Sequence, residues 1–168
     1  MRVVEIDNLA QAFAKHAAAC SSSGVLCGVR VAFESWFRLE LAYAMHTYIN
    51  ADISFDYFYE GTANKADLLL SLDGRKVVFE LKSFAGSDAN KLAKFPGQLN
   101  SIRTEVDHRR VEQGVAFCTF TGYTHDRMND ICRRLFQPPW QTTKLLPILT
   151  DKPLRFMLAS VVSPSEGA

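Results

Sequence analysis

Residues Lys65 to Lys82 read Lys-Ala-Asp-Leu-Leu-Leu-Ser-Leu-Asp-Gly-Arg-Lys-Val-Val-Phe-Glu-Leu-Lys, two apolar runs separated by Asp73-Gly74. A two-residue hairpin turn needs positive φ, which Asp-Gly adopts at low cost. With Asp73 and Gly74 as the loop, Leu72 faces Arg75, and counting outward sets Asp67 across from Glu80. Facing Cβ atoms in such a pair stand about 4.5–5.5 Å apart. Side chains alternate along a strand, so Leu68, Leu70 and Leu72 share one face with Val77, Phe79 and Leu81. Asp67, Glu80 and Lys82 share the other. A wholly apolar face specifies the register, because a one-residue slip would turn it to water.

Two carboxylates directly opposite each other destabilise a hairpin unless something lies between them. A divalent cation removes the penalty, and two carboxylates with positions left for water and phosphate oxygens suit Mg²⁺. Lys82 is one step along the same face and can hold a water or a scissile phosphate as a point charge. Two acids, a metal and a lysine make a site for phosphodiester hydrolysis. The plainer reading is an exposed hairpin whose Glu80 and Lys82 solvate its outer face, since Glu-x-Lys alone is common. The facing aspartate, the turn and the apolar flanks favour the site. The same register sets Lys65 opposite Lys82, so either the strands diverge there, as twisted ribbons do, or Lys65 also points at substrate.

Outward from the hairpin, residues 6–20 read as an amphipathic helix with Leu9, Phe13 and Ala17 on one side, broken at Ser21-Ser22-Ser23-Gly24. A second helix is expected from about Arg30 to Ile49, with Phe33, Trp36, Phe37, Leu41, Ala44, Met45 and Tyr48 at helical spacing. Ile53–Tyr59 reads as an edge strand before the hairpin. A loop containing Gly86 and Pro96 then leads to a helix over about Gln98–Val111. Val115–Phe120 reads as a buried strand and Asp126–Phe136 as a helix stopped by Gln137-Pro138-Pro139. Two strands, Leu145–Leu149 and Leu154–Val162, close the chain around Thr150-Asp151-Lys152-Pro153. The whole, 1–168, reads as one α/β domain with a central mixed sheet flanked by helices; the helix at 6–20 and the hairpin at 145–162 are additions to its core.

At 168 residues the chain is long enough to bury a real core. Met1 leads into Arg2, Val3, Val4, Glu5 and Ile6 with no apolar stretch of signal length. The weakly polar run Gly24–Phe33 is too short to span a bilayer, so a cytoplasmic protein with no membrane partner is expected. A net charge of +1 argues against coating nucleic acid by bulk charge, and any basic surface must be local. Cys20, Cys27, Cys118 and Cys132 do not stand at zinc-knuckle spacing. Cys118 in a strand pattern and Cys132 in a helical one read as buried thiols.

The residues quoted above resemble those of the PD-(D/E)xK nuclease superfamily, the restriction-endonuclease-like enzymes. Ala66-Asp67 stands where that family has Pro-Asp, and Glu80-Leu81-Lys82 where it has (D/E)-x-K. The alanine departs from the pattern at a position that is not a ligand. The likeness covers about Glu34 to Phe120 and leaves the subfamily unassigned. It implies a restriction-endonuclease-like core and Mg²⁺, with Mn²⁺ substituting, bound by Asp67, Glu80 and the Leu81 backbone carbonyl. It also implies a glutamate from the preceding helix. Glu34 and Glu40 compete for that role: each lies roughly 60° from the centre of the apolar stripe at about 100° per residue. Glu34, near the helix start, matches the family's placement better, although it could instead pair with Arg38 four residues on. Gln98 stands where the family often has a polar residue after the lysine.

Lys65, Lys91, Lys94, Arg103, Arg109 and Arg110 are candidates for tracking phosphates, against a solvated helix face as the alternative. Trp36 and Phe37 read as core, and Tyr123 on its Gly-Tyr turn as a residue open to solvent. The expectation is a Mg²⁺-dependent endonuclease acting on DNA ahead of RNA, with Asp67, Glu80, Lys82, Glu34 and Gln98 as its catalytic set. The rival is a non-catalytic module of the same fold that binds nucleic acid or protein. A homodimer, one copy per strand of a duplex, is left open.

Overall fold

The computed structural model describes Phe13, His16 and residues 34–85, 89–142, 146–149 and 155–162. The rest of the expected 6–20 helix, its connector, Cys20, Cys27, Gly86 and the 150–153 turn lie outside the described residues. The elements run α1 (Glu34–Ile49), β1 (Asp52–Phe58), β2 (Lys65–Leu72), β3 (Arg75–Ala85), α2 (Ala89–Asp107), β4 (Gln113–Thr121) and α3 (His125–Leu135). Three further strands follow: β5 (Gln141–Thr142), β6 (Leu146–Leu149) and β7 (Arg155–Val162). They form one mixed sheet in the order β1-β2-β3-β4-β7-β5, with β6 also on β7. Among the described residues only β3 and β4 pair in parallel, joined through α2; β1/β2, β2/β3 and β4/β7 are antiparallel. The expected α/β class, the edge position of β1 and the closing pair of strands all hold. The two-residue β5 is an addition that the sequence pattern does not signal.

The turn forms as Asp-Gly predicts. Asp73 has φ 51° and Gly74 φ 75°, the two left-handed residues of a type I′ turn. Leu72↔Arg75, Leu70↔Val77 and Leu68↔Phe79 pair in the expected register. Leu68, Leu70, Val77, Phe79 and Leu81 then pack against Phe37, Leu41 and Met45 of α1, with Phe117 of β4 beside them. Phe13 sets its ring edge-on to both Phe37 and Phe117. Each such side chain contributes about 1.5–3 kcal/mol when taken fully out of water.

The opposite face is covered too, which the two-sided hairpin pattern did not convey. Val78 packs under Ile102 and Val106 of α2, and Phe84 under Phe95, Leu99 and Met128. β3 is therefore a central strand buried on both sides, and its polar residues Glu80 and Lys82 are buried with it.

The helix after the hairpin starts nine residues earlier than Gln98, with Pro96 inside it rather than in a preceding loop. Proline in a helix interior removes one backbone bond and costs about 3 kcal/mol. Phe95, Leu99, Ile102 and Val106 offset this by forming one buried stripe at spacings of three and four residues. The helix also stops earlier, at Asp107 rather than Val111. Arg109 adopts φ 57°, its N–H donates to the Val106 carbonyl at 2.9 Å, and the Arg110 N–H donates to the Glu105 carbonyl at 3.0 Å. That is a Schellman cap built on arginine in the place glycine usually takes.

Tyr123 is buried rather than open, 6% exposed, edge-on to Phe120 with the Arg127 guanidinium over its ring. Cys118 and Cys132 are buried free thiols, as expected. Among the described residues no helix is long and apolar enough to cross a membrane.

Candidate active site

The β2–β3 ladder ends at Leu68↔Phe79, one residue short of the expected Asp67–Glu80 pair. Beyond that point β2 runs on with β1, through Ala66↔Tyr57 and Lys65↔Phe58. β3 runs on with β4, through Glu80↔Ala116, Leu81↔Phe117 and Lys82↔Cys118. In an uninterrupted antiparallel ladder the next hydrogen-bonded pair would join Leu81 to Ala66. Instead the Leu81 N–H donates to Asp67 Oδ2 at 2.8 Å. The aspartate side chain wedges into the ladder and the two strands part around it. Divergence also disposes of the Lys65–Lys82 clash: Lys65 Nζ pairs with Asp56 Oδ1 on the outer edge at 2.5 Å.

The five expected residues, Asp67, Glu80, Lys82, Glu34 and Gln98, come together at this opening. Lys82 Nζ donates to Glu34 Oε1 at 3.0 Å and lies 3.7 Å from Glu80 Oε1. Glu34 stands in the first turn of α1, and its other oxygen accepts from the Ser83 N–H at 3.4 Å. Gln98, projecting from α2, donates its side-chain amide to Glu80 Oε1 in a short contact. Glu40, further along α1, does not join them; it pairs with His16. Glu34 is thus the helix acid next to the lysine.

Two further cations border the opening. Lys91 of α2 donates to the Ser83 carbonyl at 3.3 Å and lies 3.7 Å from Glu34 Oε2. Arg38, one helical turn after Glu34, places Nη1 4.0 Å from Asp67 Oδ1 and its guanidinium over the Phe55 ring. The alternative of a Glu34–Arg38 surface pair is not what forms; Glu34 pairs with Lys82 and Arg38 stands nearest Asp67. Arg38 was legible only as a salt-bridge partner, although its i+4 spacing from Glu34 puts both on one helix face.

Burial decides the electrostatics. Glu80 is 2% exposed, and burial together with the nearby Asp67 carboxylate pushes its carboxyl up to about 8. Its cation, Lys82, is shared with Glu34 and stands closer to Glu34. Burial also raises Asp67, against the lowering effect of the Leu81 N–H. For Lys82, burial alone would lower the pKa, but Glu34, Glu80 and Asp67 outweigh it and hold the ammonium charged. Tyr59 is buried beside Ala66 and Val78, and its hydroxyl has no hydrogen-bond partner. Burial raises its pKa first, and Glu80 and Asp67 add to that, so it stays a phenol. No sequence signal pointed to it.

The other basic candidates do not gather here. Arg103 pairs with Asp107 along α2, and Arg110 with Glu105 and Glu60. Lys94 and Arg109 are exposed on or just beyond α2. Of the six, only Lys91 borders the carboxylates.

The donor set fits a hard divalent cation. Asp67 and Glu80 are carboxyls raised by burial first, with the Asp67 charge adding to the rise at Glu80 and the Glu34 charge to that at Asp67, a condition that a bound Mg²⁺ or Mn²⁺ would relieve. The Leu81 peptide is tied to the same aspartate. Among the described residues no three carboxylate, imidazole or thiolate groups converge closely enough to enclose an ion by themselves, so water or substrate oxygens would complete the shell. Lys82 lies between Glu34 and Glu80 as the local cation. No family model, curated protein or solved structure matches the chain.

Proposed function

We propose that this chain is a divalent-metal-dependent phosphodiesterase acting on nucleic acid, DNA ahead of RNA, on a restriction-endonuclease-like core. One observation carries the reading: Glu34, Asp67, Glu80 and Lys82 meet where β2 and β3 part, with the buried Glu80 carboxyl beside the part-buried Asp67 and sharing its lysine with Glu34. The order α1, β1–β2–β3, α2, β4 supports it, being the helix, hairpin, helix, strand order of that family's core.

Asp67, Glu80 and the Leu81 carbonyl would hold Mg²⁺ or Mn²⁺. When bound, the ion supplies Lewis-acid polarisation of a phosphoryl oxygen and lowers the pKa of a coordinated water. The protein's own groups do the rest. Lys82 stays protonated, so it is a donor and point charge rather than a base; it can hold the attacking water and stabilise negative charge growing on the phosphate. Glu34 fixes that ammonium at 3.0 Å. Gln98 fixes the Glu80 carboxyl from the α2 side.

The rival, a non-catalytic binding module, draws on Lys82 already filling the space between two acids. A substrate panel separates the two. Plasmid, single-stranded DNA and RNA incubated with Mg²⁺, Mn²⁺ or EDTA are expected to show metal-dependent cleavage of at least one. No cleavage, combined with salt-sensitive nucleic-acid binding, would favour the module.

A further inference from the structure

Arg38 borders the opening as a cation that neither the motif nor the family likeness assigns. Its Nε–H is buried and has no hydrogen-bond partner. Its Nη1 stands 4.0 Å from Asp67 Oδ1, beyond hydrogen-bond reach. A guanidinium carries five donors in a fixed plane, matched to two oxygens of a carboxylate or phosphate. Asp67 does not meet that plane: its Oδ1 stands 4.0 Å from Nη1, and its Oδ2 accepts from the Leu81 N–H. The Phe55 ring of the edge strand lies under the guanidinium, 5.6 Å from Cζ to centroid. The side chain remains 32% exposed, so an anion can reach it from solvent.

We infer that Arg38 is a two-pronged donor for a backbone phosphate of the nucleic acid, next to the bond held at Asp67 and Lys82. The inference deepens the phosphodiesterase reading and rests on it for the identity of the anion. Other partners for an unspent guanidinium fit less well. Asp67 is engaged, and Glu34 is taken by Lys82 and Lys91. Placed one helical turn from Glu34, Arg38 borders the carboxylates on the β1 side while Lys91 borders them on the α2 side. A strand passing over the opening would meet a cation on each flank. Arg38 is a binding and positioning residue in this scheme, and it moves no proton.

The test is equilibrium binding of a labelled 20-nucleotide single strand and its duplex in EDTA, followed from low to moderate salt, so that no cutting intervenes. Each phosphate that is no longer neutralised lowers the slope of log affinity against log salt by about 0.7 for single strands and about 0.9 for duplex. Arg38→Gln is expected to show that drop in slope and to bind about 5- to 10-fold more weakly at moderate salt. Arg38→Lys should recover the slope but only part of the affinity, because an ammonium is a point charge without the planar fork. Phe55→Leu should weaken binding with the slope kept, since the charge remains. Unchanged slope and affinity in Arg38→Gln would overturn the inference. So would a wild type with no measurable affinity, or a weakening that Arg38→Lys does not reduce. Adding Mg²⁺ to the same proteins reads the catalytic proposal separately: a wild type that binds with the Arg38 signature and never cuts would sink the phosphodiesterase reading alone.

Discussion

Two glutamates of this fold are buried to nearly the same degree, and they are treated differently. Glu105 on α2 is 1% exposed and accepts from the Tyr57 hydroxyl at 3.0 Å and from Arg110 Nη1 at 2.9 Å. Arg110 is braced in turn by Glu60. Glu80 on β3 is 2% exposed and has a carboxylate for a neighbour, while its lysine is 3.7 Å away and shared. A buried charge usually costs stability unless it is both paired and hydrogen-bonded. Glu105 meets that condition with an arginine hydrogen-bonded directly to it; Glu80 has the neutral Gln98 amide on Oε1 and a lysine 3.7 Å away that is held closer by Glu34. The contrast separates an acid partnered fully within the fold from one that the proposed metal site would use.

Mutation should widen the contrast most in activity. Asp67→Ala and Lys82→Ala are expected to lower cleavage by about 10²- to 10³-fold or more, the scale for losing a preorganised charge at a reaction centre. Glu105→Ala should leave the chemistry in place and instead destabilise the protein by about 2–4 kcal/mol, because Tyr57 and Arg110 lose their acceptor. Steady-state cleavage beside urea denaturation checks both. If Glu105→Ala removed activity without unfolding, the two glutamates would not differ as described.

pH should separate the pair next. A carboxyl raised from 4.5 to about 8 in the folded state binds its proton more tightly there than in the unfolded chain. Its stabilising effect is complete below about 4.5 and is lost as pH rises toward about 8. Asp67, also raised, works in the same direction. The metal-free protein should therefore lose about 2–4 kcal/mol between pH 5 and pH 9, since a tenfold change in proton affinity is worth about 1.4 kcal/mol and solvent at the opening screens part of the total. Glu80→Gln should flatten that decline and melt higher than wild type at pH 9. A decline of equal size in Glu80→Gln would place the titrating group elsewhere.

The smallest effect is expected at Lys65. Lys65 and its partner Asp56 are both exposed, so Lys65→Ala should change neither melting temperature nor cleavage within error. A clear drop in cleavage would restore Lys65 as a substrate contact.

Much of the hairpin was legible because its signals are local and redundant. Asp73-Gly74 demands left-handed φ at two positions, and the alternating leucines allow one register. The same count failed at Asp67, where the side chain takes the Leu81 N–H and ends the ladder. No pattern in sequence announces that a side chain will replace a main-chain acceptor. The start of α2 was hidden by Pro96, whose local cost is outweighed by a buried stripe visible only once β3 and β4 lie beneath it. Its end was hidden because Arg109 adopts the left-handed cap that glycine usually marks. Site membership was legible for residues fixed by strand alternation. It stayed open for Glu34 against Glu40 and missed Arg38, because the rotation of α1 on the sheet depends on packing.

Metal binding tests the central contrast most directly. Calorimetric titration of Mn²⁺ into metal-free wild type, Glu80→Gln and Glu105→Gln at pH 7 should give one outcome for each glutamate. Wild type and Glu105→Gln are predicted to bind the ion with release of protons, and Glu80→Gln to lose most of that affinity and the proton release with it. Binding in Glu80→Gln equal to wild type, or no binding by wild type, would contradict the account.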